Sequence, residues 1–432
     1  MTSQPDTEHS LLLARLDGIA PIVAGACLTL LAQLTWIRRR SEQVTFHDYE
    51  TARLSSALDI VLPVDVVDLL RIDRADDTEA SGMAAMRPKQ RIIVPLDVLE
   101  KGRLVHFDLM LDGKTASLMN SVEIALITAW MLNLVAIDAG EGPMDQAEFA
   151  LATTIAGSDI DESRSAFEDL KWRRPTATNL LEEARKYRDN YLLLAELATE
   201  ERQMIVKYAR DTSLGPRLTW AERLGLERPL LQLPLGSVSF GGSYHVEAIV
   251  PGELKICGAE IQDRGEVIDA TYEMCDRASL YVHPPPRDLH AELLVSVATH
   301  RSVLLLPAAI ISWIVTLSLL AGGILALLGV IGHSVSGSTG SAVFLAPSIA
   351  AGLVLYRTEA PLVRVMLGRA RATLATVTAM AFAGGAALAF GIRDVELGAT
   401  WVGLALIAGT GATILSVAAW KAVAEVPSKA SS

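Results

Sequence analysis

The stretch from Val303 to Trp420 constrains this chain more than any other, because it holds four runs long and apolar enough to cross a bilayer. Val303 to Ile331 contains no charged residue. At about 1.5 Å rise per residue, two thirds of it covers a hydrocarbon core of about 30 Å. The other three runs are 338–356, 373–392 and 400–420. The second is short and carries Pro347, but a hairpin needs a return leg, since irregular backbone facing lipid is not tolerated. Trp401 and Trp420 bracket the last run, where interfacial aromatics are expected.

None of the four runs contains Asp, Glu, Lys, Arg or His. Coupled transporters keep such groups inside the membrane for ion or proton relay, so their absence argues against that class. It leaves room for a backbone-lined or hydrophobically gated pore. In the third run Ala375, Ala379, Ala383, Ala387 and Gly391 recur every four residues, a ridge expected to pack against another helix.

Cations fix the expected orientation. Arg357, Arg364, Arg369 and Arg371 lie between the second and third runs, Arg301 precedes the first, and Lys421 and Lys429 follow the fourth. These flanks belong in the cytoplasm, and the loops after the first and third runs belong outside. The four arginines form a basic loop expected to face anionic lipid headgroups, with the acidic domain as the competing partner.

Everything before residue 301 differs in character. Residues 301–432 hold 8 Lys+Arg and 4 Asp+Glu, which leaves 30 and 46 for residues 1–300, a net of −16. An acidic front without clustered cations argues against nucleic acid. Cys27, Cys257 and Cys275 are odd in number and scattered, which fits reduced thiols rather than a disulfide framework.

Residues 18–37 are uncharged and stop at Arg38, Arg39 and Arg40. Their acidic N-terminal flank argues against a cleaved leader. The expectation is a transmembrane helix ending in the cytoplasm, with an apolar helix docked on the soluble domain as the alternative. Strands are expected within 44–111, including Val64 to Leu70, Arg91 to Val94 and Leu104 to Leu111, and again within 229–299, including Ser237 to Phe240, Tyr244 to Val250, Leu254 to Ile261, Ala278 to Val282 and Leu289 to Val297. Residues 116–226 read as a helical insertion. There Ile124 to Ile137 suits a buried core helix, and Asn179 with Glu182 suggests a capping box. Leu180, Ala184, Tyr187, Tyr191, Leu194 and Ala198 recur at four-three spacing, as on a helix seam.

The fold class is therefore mixed. A β-rich, sandwich-like cytoplasmic domain over 38–300 holds the helical insertion, and a C-terminal four-helix transmembrane bundle over 301–421 follows. Polar ends occupy 1–17 and 422–432.

No chemical motif accompanies this layout. Asp159, Asp161 and Ser163 open like a calcium loop, but Arg164 stands where Gly is needed and Leu170 where a bidentate Glu is needed, so a helix start capped by Ser158 is expected. The glycines at 236, 241 and 242 lack the lysine of a phosphate loop. His106, His245, His283 and His290 fall in or beside strands without metal-ligand spacing. No cofactor or metal is expected.

The run Ile93 to Leu109, the run Ser243 to Ala248 and the apolar C-terminal bundle resemble multi-pass membrane proteins of high-GC actinobacteria whose role is unassigned. A preference for arginine, 29 against 9 lysines, fits such a genome. The resemblance implies a layout and no activity. The resulting expectation is a multi-pass inner-membrane protein that senses, scaffolds or acts through its cytoplasmic domain, touching the bilayer and either a protein partner or its own copies. The competing class is an oligomeric pore gated by that domain. An enzyme of unrecognised class ranks third.

Overall fold

The computed structural model describes residues 5–48, 50–72, 91–101, 105–199, 201–214, 218–235, 241–283, 291–299, 304–330, 347–356, 360–389 and 394–421. The chain starts with helix α1 (Pro5–Ala32), then strands β1 (Ile37–Phe46) and β2 (Thr51–Val61), a short helix α2 (Val64–Val67), and strands β3 (Arg71–Ile72), β4 (Arg91–Glu100), β5 (Val105–Leu111), β6 (Lys114–Thr115) and β7 (Ser117–Leu118). Four helices follow: α3 (Ser121–Asp138), α4 (Gln146–Gly157), α5 (Ile160–Arg173) and α6 (Thr178–Asp189). Then come β8 (Asn190–Ala198), β9 (Gln203–Ser213), the short helix α7 (Trp220–Arg223), β10 (Leu230–Leu235), β11 (Tyr244–Ile249), β12 (Leu254–Asp263), β13 (Glu266–Thr271), β14 (Arg277–Val282) and β15 (Ala291–Thr299). The C-terminal helices are α8 (Leu305–Leu327), α9 (347–355), α10 (Pro361–Met366), α11 (Gly368–Ala389) and α12 (Asp394–Lys421).

A seven-stranded sheet, in the order β14-β11-β1-β2-β9-β5-β6, is the spine of the β-rich region. One face is covered along its length by two four-stranded sheets, β10-β15-β12-β13 and β3-β4-β8-β7. The two ends of the domain meet in the middle, where β1 pairs in parallel with β11 in the register Arg40 to Tyr244. Burial alternates along β2 and β11, so their even-numbered residues face the core. The other face of the large sheet is open and polar, carrying Ser41, Gln43, Arg53, Ser55, Asp108, Lys207 and Glu247.

The covering sheets share a sequence pattern. Pro95, Leu96, Gly102, His106 and Gly113 have identical counterparts at Pro234, Leu235, Gly241, His245 and Gly252, each 139 positions on, and Asp108 matches Glu247 in charge. In both copies the first strand, β4 or β10, enters a four-stranded sheet and the second, β5 or β11, joins the seven-stranded one. The partners of β4 and β10 also match: Leu193 to Thr199 on β8 reads Leu-Leu-Ala-Glu-Leu-Ala-Thr, and Leu293 to Thr299 on β15 reads Leu-Leu-Val-Ser-Val-Ala-Thr. The domain thus carries two copies of one strand pattern, with α3 to α6 lying in the first.

Several expectations change. The helix placed at 18–37 is α1, which stops at Ala32; Ala20, Val23, Ala24, Cys27 and Leu30 are buried in the same core as α3. Arg38 to Arg40 then lie in β1 rather than at a membrane flank. Helix within 116–226 is confined to α3 through α6 and the single turn of α7. The supposed seam crosses from α6 into β8, where Leu192 to Leu197 is a fully buried strand run whose spacing mimics a helix period. Asn179 caps nothing: the N-cap of α6 is Ala177, and the Asn179 amide donates to Glu141. Ser158 ends α4, and Asp159 caps α5 by accepting from the Asp161 and Glu162 amides. Val64 to Leu70 forms α2 and a 3-10 turn rather than a strand. The strand expected at Ser237 to Phe240 lies outside the described residues.

Three helices are long and apolar enough to cross a membrane: Ser121–Asp138, Leu305–Leu327 and Val395–Lys421. The first, α3, has more than half of its window buried inside the protein. The other two, α8 and α12, pack closely along their lengths with α11 beside them. Of the second expected run, α9 forms the last part and 338–346 lies outside the described residues.

Glycines set the packing distance between α8 and α12. A Cβ on Gly323 would lie 2.9 Å from Val402 Cγ2, and one on Gly398 would lie 2.7 Å from Leu327 Cγ. Small residues let the two backbones approach closely. Trp401 fills the centre rather than marking an interface: it is 3% exposed, and its Nε1 donates to the Gly384 carbonyl at 2.8 Å.

The expected ridge on α11 turns the other way. Ala375, Ala379 and Ala383 are exposed in the single chain, Ala387 is buried, and Gly391 lies outside the described residues. The buried face is Leu374, Val377, Ala381 and Gly384. Neighbouring positions therefore give opposite predictions. A Cβ on Gly384 would sit 2.7 Å from Leu319 Cδ2, so Gly384→Leu should lower stability in detergent by about 1–3 kcal/mol through overpacking. Ala383→Leu should change the thermal midpoint little, and equal losses would contradict this packing.

Candidate functional site

Charged residues on the inward face of β1 and β4 build the first candidate. Arg40 and Glu42 are in phase with the buried Val44 and Phe46, so the strand period carries them into the core. Arg40 Nε donates to Glu42 Oε1 at 2.7 Å, and its Nη2 donates to Asp97 Oδ2 at 2.8 Å. Tyr208 OH donates to the same Asp97 oxygen at 2.6 Å, and Tyr244 OH donates to Glu42 Oε2 at 2.6 Å. Ser56 Oγ donates to Glu42 Oε1 at 3.2 Å. All six side chains are buried, with Arg40 only 1% exposed.

Burial alone would lower the Arg40 pKa, but Asp97 and Glu42 outweigh it and hold the guanidinium well above its usual value. Burial pushes the Tyr208 and Tyr244 phenols up, with Asp97 and Glu42 adding to the shift, so both remain donors. This cluster has the groups of an acid–base site without access for a substrate. It joins the two copies of the strand pattern, because β1 and β4 precede the insertion and Tyr244 belongs to β11. Its role is to fix register: a slip of one residue on β1 would turn Arg40 and Glu42 out of the core.

Lys101 is a second buried cation. Its Nζ reaches the Ile155 carbonyl at 2.5 Å, the Ser158 carbonyl at 3.0 Å and Ser163 Oγ at 2.5 Å, so it ties the end of α4 to the start of α5. Burial pulls its pKa down to about 8, with Asp189 and Asp159 opposing. Three oxygen acceptors mark it as a structural ammonium rather than a free amine.

The third candidate is a cavity of 330 Å³ where the β-rich region meets the C-terminal helices, lined by Glu222, Glu227, Arg228, Thr299, Trp420 and Lys421 among others. Gly225, in the turn after α7, closes one side at φ +74°, a left-handed conformation suited to glycine. A Cβ there would lie 3.4 Å from Leu305 Cδ1 on α8 and 3.6 Å from Ala418 Cβ on α12. The cavity sits on the line of contact between sheet and bundle.

The residues marked in the sequence scatter. Arg364 is exposed on α10, Arg369 is exposed on the first turn of α11, and Arg371 is half-buried with Nη1 donating to the Leu355 carbonyl at 3.3 Å. Arg357 lies outside the described residues. His245 Nδ1 is 3.4 Å from Ser41 Oγ, and His283 Nδ1 is 2.7 Å from the Gly242 carbonyl. The side chain of His106 and all of His290 lie outside the described residues. Among the described residues no group of three His, Cys, Asp or Glu is placed to hold a metal ion.

No protein-family model matches the chain, and no curated protein matches it in sequence.

Two outcomes follow. Arg40→Met should destabilise the protein by about 3–5 kcal/mol, because it leaves Glu42 and Asp97 buried without their cation; denaturant unfolding in detergent measures it. The three thiols should also differ. Burial raises Cys27 to about 12 and Cys257 in the same direction, while Cys275 is only half-buried. Near neutral pH a maleimide should modify Cys275 in the native protein and all three after unfolding, since the thiolate is the reactive form.

Proposed function

We propose that this chain is a multi-pass inner-membrane protein whose β-rich domain is held on the cytoplasmic side and works by sensing, scaffolding or effector contact rather than catalysis. One observation carries the reading: a single apolar core runs from the sandwich into the helices. Leu231, Leu233, Ile256, Val295 and Val297 share it with Leu305 and Ala308 of α8, Leu362 and Met366 of α10, Leu374 of α11 and Leu415 of α12. A domain fused this way to its anchor moves with it.

The path of the helices supports four crossings. α8 leaves the domain at Leu305, and α12 returns to it at Lys421 beside Val297 and Thr299. Ala351 on α9 shares the domain-side core, so the chain comes back between α8 and α9. Arg364, Arg369, Arg371 and Lys421 then gather at the domain end, while Asp394 and Glu396 start α12 at the other, a bias that favours a cytoplasmic domain.

The bundle interior favours an anchor over a pore within one chain. Val315, Leu319, Val377, Ala381, Leu397, Trp401, Ala405 and Ala408 fill it. The open polar face of the seven-stranded sheet is the surface offered to a partner, with Arg53 bridging Asp108 and Asp211 across it.

Sealed cells lacking the native cysteines test the arrangement. A cysteine at Val330, at the far end of α8, should react with an impermeant maleimide, and one at Ser279 on β14 should not. Labelling at Ser279 would overturn the orientation. Ion flux in liposomes reconstituted with the whole chain would replace the anchor reading with the oligomeric pore.

A further inference from the structure

Two hollows meet at Trp420. The first is the junction cavity, with Glu222, Glu227, Arg228 and Lys421 in its lining. The second is an apolar groove of 450 Å³ between α8 and α12, lined by Leu306, Ile310, Trp313, Ile314, Leu317 and Ser416 among others. Trp420 lines both and is 68% exposed. Trp313 stands across the groove with Nε1 donating to Ser416 Oγ at 2.9 Å, so the indole is held by a bond between the two helices.

Resting on the membrane reading above, we propose that these hollows bind one phosphatidylethanolamine molecule, with an acyl chain in the α8–α12 groove and the headgroup in the junction cavity. The chemistry divides along the bilayer normal as a phospholipid does. The groove walls are aliphatic and aromatic over the length of α8 from Leu306 to Leu317, where hydrocarbon is the solvent. At the domain end the lining changes to charge, and Trp420 sits at the boundary, the depth an amphipathic indole favours.

The headgroup assignment follows from charge complementarity. The cavity lining carries two cations and two carboxylates, a balanced set. A purely anionic headgroup would bring negative charge against the exposed Glu227. A phosphate beside Lys421 with a primary ammonium beside Glu227 satisfies both signs, and an ammonium can donate hydrogen bonds that a quaternary amine cannot. Glu222 is already engaged, accepting from the Thr219 amide as part of the cap of α7, which leaves the exposed Glu227 as the partner for the amine. Lys421, at the last position of α12, is also exposed and set against the negative end of the helix dipole.

Quenching of tryptophan fluorescence by brominated lipids tests this in the full chain, reconstituted in phosphatidylcholine vesicles with a minor fraction of brominated phosphatidylethanolamine, phosphatidylglycerol or phosphatidylcholine. Brominated phosphatidylethanolamine should half-quench at the lowest mole fraction. Lys421→Glu should raise that fraction by about fivefold or more, the effect of roughly 1 kcal/mol per cation at the surface. Glu227→Gln should abolish the preference for phosphatidylethanolamine over phosphatidylglycerol while leaving the thermal midpoint unchanged. Equal quenching by all three lipids would overturn the proposal in favour of general boundary lipid, and preference for phosphatidylglycerol would overturn the headgroup assignment. Quenching by none of them would sink the membrane reading itself.

Discussion

The junction between sheet and helix governs this structure. β15 ends at Thr299 and α8 begins at Leu305, so only residues 300–304 separate a core strand from the first of the C-terminal helices. Such a short connection permits little independent motion, and the apolar core that spans it removes the rest. Leu304, Leu305 and Ala308 are buried against the same cluster as Val295 and Val297. Domain and bundle are therefore one packed body, and surface that would otherwise be exposed apolar patch on either part is covered by the other.

The same economy appears inside the domain. The duplicated strand pairs would each leave a hydrophobic face uncovered, and the seven-stranded sheet takes one strand pair's partner from each copy to cover both. The Arg40, Glu42 and Asp97 cluster lies where the copies meet. Buried ion pairs contribute little net stability compared with well-packed apolar groups, but they tolerate only one register. That suits a parallel pairing of β1 with β11, whose neighbours in sequence are some 200 positions apart, as Arg40 and Tyr244 are.

How much of this was legible depended on periodicity. Strands with one buried face, such as β5, β11, β12 and β15, announced themselves by alternation. β8 did not, because Leu192 to Leu197 is apolar apart from Glu196, all six are buried, and their spacing also satisfies a helix. β2 falls inside the strand-bearing stretch 44–111 but does not stand out there, because Ser55, Ser56, Ala57 and Asp59 dilute its alternation, although Ala52, Leu54, Leu58 and Ile60 are all buried. Arg38 to Arg40 looked like a membrane flank because charge density is visible in a sequence and burial is not. The signal for the buried cluster was present, in that Arg40 and Glu42 share the parity of Val44 and Phe46. On α11, alanines at four-residue spacing suggested a contact, but Leu374, Val377, Ala381 and Gly384 at three-, four- and three-residue steps form the face that is buried. Small size permits close approach without saying which face is approached.

The central claim is that domain and bundle form one cooperative unit. Native-state amide hydrogen exchange of the full chain in detergent tests it most directly, because units that open separately have separate free energies of opening. The account predicts that the slowest amides of β12 and β15 and those of the domain-side halves of α8 and α12 share one opening free energy, and that Gly225→Val lowers both together. Bundle amides that open at their own lower free energy, untouched by Gly225→Val, would contradict it.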